Sequence, residues 1–325
     1  MATASSNSST AESAGSAGPD STSEHELGIL ERRLLPTDDY LALWDAIVIN
    51  PEIKERLLAH ALLNFTVRLK VDRSRLPLHG LILMVGPPGT GKTSLARGLA
   101  AMTAARLPQM GQFQFLEIDP HDVASAGMGQ RQKAVTDLLG KTVARYARVR
   151  PTIVLLDEVE TLAVARSGLS MDVNPIDVHR ATDALLAQLD LLASNTPNLL
   201  FVATSNFPKA IDEAFISRSD YLAVIDRPSA DACQTIFYDT VNALAEHFPS
   251  VRALLGRPEM KEAAYICRDL DGRQIRKFVL AACALRTDTA LDPNTLEPKD
   301  LLKALQRGKE EHRKLAEAED DEDDD

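Results

Sequence analysis

Apolar positions along the 325-residue chain change their period several times, and the changes divide it. Residues 1–26 are dominated by Ser, Thr, Ala and Gly with almost no large apolar side chains, so burial cannot repay the entropy of ordering them. We expect a mostly disordered segment over residues 1–40, with the structured part beginning near Leu41. Pro51 opens a long amphipathic pattern with Leu57, Leu58, Ala61, Leu62 and Phe65 on one face, the spacing of a helix. Short β-rich runs then alternate with helical stretches: LILMV from Leu81, FQFLEI from Phe113, TIVLL from Thr152, LLFVAT from Leu199 and YLAVI from Tyr221. Five near-continuous apolar strands separated by helices predict an α/β unit, a five-stranded parallel sheet covered on both faces. After Pro228 the pattern is helical only, near 230–246, 260–269, 272–287 and 298–315. The expected division is therefore a large α/β domain over 41–228, a small helical domain over 229–316 and a disordered acidic tail over 317–325.

Charge modifies this picture less than it first suggests. The formal net charge is −11, but eight of the last nine residues are acidic, and without them the body carries −3. No dense Lys/Arg block is present, which argues against nucleic acid as a partner. Cys233, Cys267 and Cys283 are widely spaced, with no CxxC pair and no neighbouring His of metal-ligand spacing, and read as reduced core thiols. No apolar run approaches the roughly 20 residues that span a bilayer, and the N-terminus lacks the pattern of a signal peptide, so a cytoplasmic protein without membrane contact is expected.

The chemistry concentrates at three strand ends. GPPGTGKTS follows LILMV and opens a helix. Gly86, Gly89 and Gly91 would let backbone N–H groups curl around a phosphate chain, with Pro87, Pro88 and Thr90 completing the nucleotide-binding loop; Lys92 would reach the β and γ phosphates, and Thr93, followed by Ser94, would offer a hydroxyl to Mg2+. In IVLLDEVE, Asp157 would complete the magnesium shell and Glu158 would polarise an attacking water. In LLFVATSN, Asn206 would orient that water, with Thr204 and Ser205 as turn formers. The cofactors implied are ATP and Mg2+. Tyr40 and Trp44 are either core anchors or part of an adenine pocket.

These motifs resemble AAA+ P-loop ATPases. The segments LWDAIV, EIDPHDVASAGMGQRQKAV, LLDEVETLAVARSG, ATSNFPKAIDEAFISRSDYLAVIDRPS and DGRQIRKF resemble the pachytene-checkpoint branch, which remodels HORMA-domain proteins, and in particular its short bacterial members. The resemblance implies a homo-hexameric ring that threads a polypeptide through a central pore. It also implies a HORMA-domain client, and an anti-phage setting with a cGAS-like nucleotidyltransferase. By motif position, Arg218 corresponds to an arginine acting on the neighbouring subunit's phosphate, Arg273 to the sensor arginine of the helical lid, with Arg276 a weaker candidate, and Gly127 and Met128 in SAGMGQ to the pore loop. A competing reading is a nucleotide-gated loader acting on another protein or on DNA; the missing basic groove disfavours it.

Overall fold

The computed structural model describes residues 28–125, 130–164 and 175–322. Its centre is a six-stranded sheet in the order β1-β3-β4-β5-β2-β6, with β1 Ile29–Leu35, β2 Leu81–Val85, β3 Phe113–Ile118, β4 Thr152–Leu156, β5 Leu199–Ser205 and β6 Tyr221–Val224. Strands β2 to β6 are mutually parallel. Alternate residues of each buried strand feed two different cores, the two-residue period of a pleated strand. Leu81, Leu83 and Val85 join Leu116, Val154, Leu156 and Phe201 on one face. Ile82 and Met84 join Phe113, Phe115, Ile153 and Val202 on the other.

The second face is covered by α1 (Asp38–Ala46), α2 (Pro51–Val67) and α3 (Lys92–Arg106). The small side of α3 permits this. A Cβ on Gly98 would lie 2.7 Å from the backbone nitrogen of Trp44, so α1 rests on α3 only because that position carries none. The first face carries the helix Pro175–Asn195, which places Leu185, Leu186, Leu189 and Leu192 in the core.

Two sequence expectations are corrected. The sheet has six strands and is mixed, because residues placed in a disordered leading segment form β1, antiparallel to β3 with Leu35 opposite Phe113. Its sequence, ILERRLL, carries three consecutive charged residues between apolar pairs, and charged side chains are one way an edge strand is kept from further pairing. Those charges are engaged: Tyr40 donates to Glu31 at 2.7 Å, and the Arg33 guanidinium lies 4.6 Å from the Tyr40 ring centre. At the other end, the helix Pro298–Glu322 carries the backbone through most of the acidic tail, leaving 323–325 outside the described residues.

A third core belongs to the helices that follow Pro228, principally Ala230–His247, Pro258–Ile266, Gly272–Cys283 and Pro298–Glu322. Ser229 caps the first of them through the N–H of Ala232. Cys233 and Cys267 are buried, free thiols within this core, and burial pushes Cys267 up to about 12, which keeps it an unreactive thiol.

Candidate functional site

The sheet order places the three predicted motifs side by side. Strands β4, β5 and β2 are neighbours, all parallel, so Asp157, Asn206 and Gly86 emerge from the same, carboxyl-terminal edge. That edge is where parallel α/β sheets present ligand sites.

The loop from Gly86 to Gly91 bends back on itself, with the Thr90 hydroxyl donating to the Pro87 carbonyl at 3.0 Å. Gly91, at φ +89°, caps α3, so the loop leads directly into a helix N-terminus, a position suited to anions. Pro87 and Ser94 are half-buried, and Pro88 is exposed on the rim. Gly89 has φ +82°, and a Cβ there would fall 2.4–2.6 Å from the carboxylate of Asp271. The loop and the first residue before the helix Gly272–Cys283 thus touch through a glycine that no other residue could replace without movement.

Lys92 is 5% exposed, and its ammonium donates to the carbonyls of Gly86 and Pro87 and to Oδ1 of Asn206, each at 2.8 Å. Burial lowers its pKa below the ordinary lysine value; the carboxylates of Glu160, then Asp157 and Glu158, pull against this, and the Arg273 charge adds to the lowering. The three hydrogen bonds occupy the donors that a phosphate chain would take.

Thr93 Oγ1 lies 2.9 and 3.0 Å from the two oxygens of Asp157, and the Thr204 hydroxyl also donates to Asp157. One hydroxyl and one carboxylate are a hard oxygen pair. Magnesium is ordinarily held by one or two carboxylates together with substrate phosphates and water, so this donor set fits it. No cluster of three or more His, Cys, Asp or Glu of metal-binding arrangement occurs among the described residues.

Glu158 is exposed and sits at φ 51°, ψ 51°, a left-handed conformation that a residue without a functional constraint rarely adopts. Asn206 Nδ2 donates to its Oε1 at 3.2 Å. One asparagine therefore touches both Lys92 and Glu158, through opposite ends of its amide. Glu160 joins the same group. Its Oε1 accepts the N–H of Asn206 at 3.1 Å, and its Oε2 is buried with no hydrogen-bond partner.

Beside the loop is a cleft bounded by Ile47, Val48 and Ile49, by Asp226, Pro228 and Ile236, and by Gly272 and Arg276. Its apolar walls around Gly89 to Gly91 suit a flat base adjoining the phosphates. Tyr40 and Trp44 are buried in the core and line none of it, which settles them as anchors. Arg276 donates to the Ala46 carbonyl at 2.9 Å and closes one wall, while Arg273, one turn earlier, is exposed near Lys92.

Arg218 is distant from this group. It lies two residues before Asp220, whose N–H donates to the carbonyl of Leu81, the first residue of β2. Four strand steps of about 3.3 Å separate that end of β2 from the phosphate loop. Gly127 and Met128 lie outside the described residues.

Sequence reasoning passed over Glu160, the cleft residues Ile47 to Ile49 and Asp226, and the part Thr204 plays on Asp157. Glu160 carries the only available signal, a second acid two positions after the first pair in DEVE.

Residues 82–227 match the family model "ATPase family associated with various cellular activities (AAA)". The CD-NTase-associated protein 6 of Pseudomonas aeruginosa is 50% identical over 292 residues, 90% of this chain and 96% of that protein. A pachytene checkpoint protein 2 homolog of Gallus gallus is 31% identical over 306 residues, 87% of this chain and 70% of the relative. Among solved structures, C. elegans PCH-2 superposes with a TM-score of 0.70 at 23% identity, covering 89% of this chain and 78% of that one. A chain of the E. coli MS115-1 HORMA:CdnC:Trip13 complex superposes with 0.68 at 17% identity, covering 86% and 95%.

Proposed function

Because the chain belongs to the pachytene-checkpoint branch of the AAA ATPases, we propose that it spends ATP on remodelling a HORMA-domain protein, beside a cGAS-like nucleotidyltransferase in bacterial anti-phage defence. It is an ATPase. The Pseudomonas relative is named for association with a CD-NTase, and the E. coli assembly unites a HORMA protein, CdnC and Trip13. Those two partners supply the client and the setting.

The single observation that favours hydrolysis over nucleotide storage is the bridge made by Asn206 between Lys92 and Glu158. On arrival of ATP, Lys92 exchanges its carbonyl and amide acceptors for phosphate oxygens, which frees Asn206 Oδ1. With Nδ2 still on Glu158, the freed oxygen orients a water whose proton Glu158 accepts. Thr93 and Asp157 would hold magnesium, which when bound offsets charge on the phosphates. Gly86 to Gly91 and the first turn of α3, Ser94 included, cradle the chain of phosphates. Arg273, beside Lys92, completes the site from the lid.

Arg218 acts in the neighbouring subunit's site of a homo-hexameric ring. Its place near the amino-terminal end of β2, away from its own phosphate loop, supports action in trans and not in cis. Met128 grips the client in the pore. We infer a cytoplasmic setting from the reduced thiols and from the absence, among the described residues, of any helix long and apolar enough to cross a membrane.

The test is Glu158→Gln, which keeps the cradle and the ligand set but removes the base. Nucleotide affinity should stay and phosphate release should stop, with the HORMA client retained on the ring. Wild-type turnover in that variant would overturn the assignment. Met128→Glu, measured on client conversion with phosphate release alongside, should lose the first and keep the second; normal conversion would argue against threading.

A further inference from the structure

The arginine assigned to the neighbouring site is held in its own chain by one carboxylate. Asp190, on the helix Pro175–Asn195, accepts Nε of Arg218 on Oδ1 at 3.2 Å and Nη2 on Oδ2 at 2.9 Å. This is the side-on fork, the geometry that fixes both the position and the plane of a guanidinium. Nη1 donates to the Ala214 carbonyl at 2.8 Å. Of the five N–H groups of an arginine, three are thereby engaged, and the remainder is available to a ligand outside the chain.

Asp190 is itself fixed from a second direction. Its Oδ1 lies 3.4 Å from Nη2 of Arg73 and 3.4 Å from Nε2 of His79. Arg73 also donates to the Asp190 carbonyl at 2.9 Å and to the Ser194 hydroxyl at 2.6 Å. Asp220, two residues after Arg218, accepts the N–H groups of His79 and Gly80 at 2.8 and 2.6 Å, tying the cluster to the start of β2. The side chains of Arg218 and Asp190 are 24% and 39% exposed. A lone pair at such exposure contributes little to stability. A bidentate pair inside a network of four charged or polar partners restricts orientation instead, and orientation is what an arginine reaching across a boundary requires.

We propose that Asp190 is a positioning residue for ATP hydrolysis: its carboxylate holds the Arg218 guanidinium in the plane and direction that meet the neighbouring subunit's phosphate. The proposal rests on the trans role given to Arg218. It assigns to Asp190 no contact with nucleotide.

Three variants test it, with turnover and nucleotide affinity measured on assembled rings. Asp190→Ala should lower kcat roughly ten- to a hundredfold, the scale set by misplacing a reacting group, with nucleotide affinity unchanged. The double variant Asp190→Ala/Arg218→Ala should lose no more than Arg218→Ala alone. Subunit mixing supplies the readout that a merely structural role would not give. Asp190→Ala subunits mixed with Lys92→Ala subunits should regain turnover, because about one boundary in four then pairs an intact phosphate loop with an intact, oriented arginine. Asp190→Ala mixed with Arg218→Ala should regain none. Where Asp190→Ala does not fold, Asp190→Asn keeps the shape and carries the same comparisons. Wild-type turnover by the Asp190 variants beside a defective Arg218→Ala would overturn the proposal and leave the reading of Arg218 standing. Wild-type turnover by Arg218→Ala would overturn both. Failure to recover with Lys92→Ala, in rings shown to be mixed, would make Asp190 a local structural residue and overturn the proposal.

Discussion

Glu160→Gln probes the least expected member of the nucleotide site. In the wild type, Oε1 of Glu160 accepts the Asn206 N–H at 3.1 Å, and Oε2 is buried without a partner. Glu160 is also the foremost of the three carboxylates that favour the charged form of Lys92. Glutamine can keep the bond to Asn206 through its own oxygen, but as a neutral acceptor it supplies about half the strength of a charged one. A hydrogen bond to a charged group contributes about 1.5–3 kcal/mol, so the loss at Asn206 is about 1 kcal/mol. The glutamine NH2 must then take the place of Oε2, where no acceptor awaits it, and an unsatisfied buried donor costs about 1–3 kcal/mol. The residue can relieve that cost by turning away, at the expense of Asn206. Placed on the transition state, about 1–2 kcal/mol corresponds to a fall in kcat of roughly five- to thirtyfold. Bound ATP replaces the missing negative charge near Lys92, so affinity should change by no more than a few-fold. Phosphate release under saturating ATP, with titration of a fluorescent nucleotide, separates the two quantities. A kcat within about twofold of wild type would refute the claim that Glu160 sets the position of Asn206.

Two further substitutions test how the site is supported. Gly89→Ala forces a left-handed alanine, about 1–2 kcal/mol, and drives its Cβ into the Asp271 carboxylate that caps the helix Gly272–Cys283, about 1 kcal/mol more; weaker nucleotide binding and a lower unfolding midpoint should appear together, and unchanged values would show that the loop does not lean on the lid. Arg97 on α3 grips the buried Glu117 of β3 through two bonds of 2.9 and 2.8 Å. Arg97→Met should cost about 3 kcal/mol by leaving that carboxylate unpaired, whereas Arg97→Met/Glu117→Leu should recover most of it; urea unfolding of both proteins decides, and equal destabilisation by the single and double variants would contradict the argument.

The phosphate loop was legible in the sequence because its work is local. Nine consecutive residues, Gly86 to Ser94, carry the glycines of the loop, the Lys92 ammonium and the Thr93 hydroxyl, and the strand before and helix after them follow from apolar period alone. Asp157 and Asn206 were legible for a related reason: a parallel strand buried on both faces ends where its apolar run ends, and the polar residue just beyond faces the site. The same logic failed at β1, an edge strand whose central Glu31, Arg32 and Arg33 interrupt the continuous apolar run by which the inner strands announce themselves.

What the tertiary structure decided concerns pairs distant along the chain. Lys92 and Asn206 are 114 residues apart and Arg218 and Asp190 are 28 apart, and neither pairing has a sequence signature. The order β4-β5-β2 makes the first pair adjacent, and the approach of the helix Pro175–Asn195 to the segment before β6 makes the second. The cleft draws on residues near positions 48, 90, 226, 236 and 276 and exists only after the helical unit has docked on the loop. Periodicity records which face of an element is buried, since burial of apolar surface drives folding wherever the partner comes from. It does not record the partner, because the hydrophobic term is non-directional, and the choice among partners is made by packing and hydrogen-bond geometry in the assembled fold.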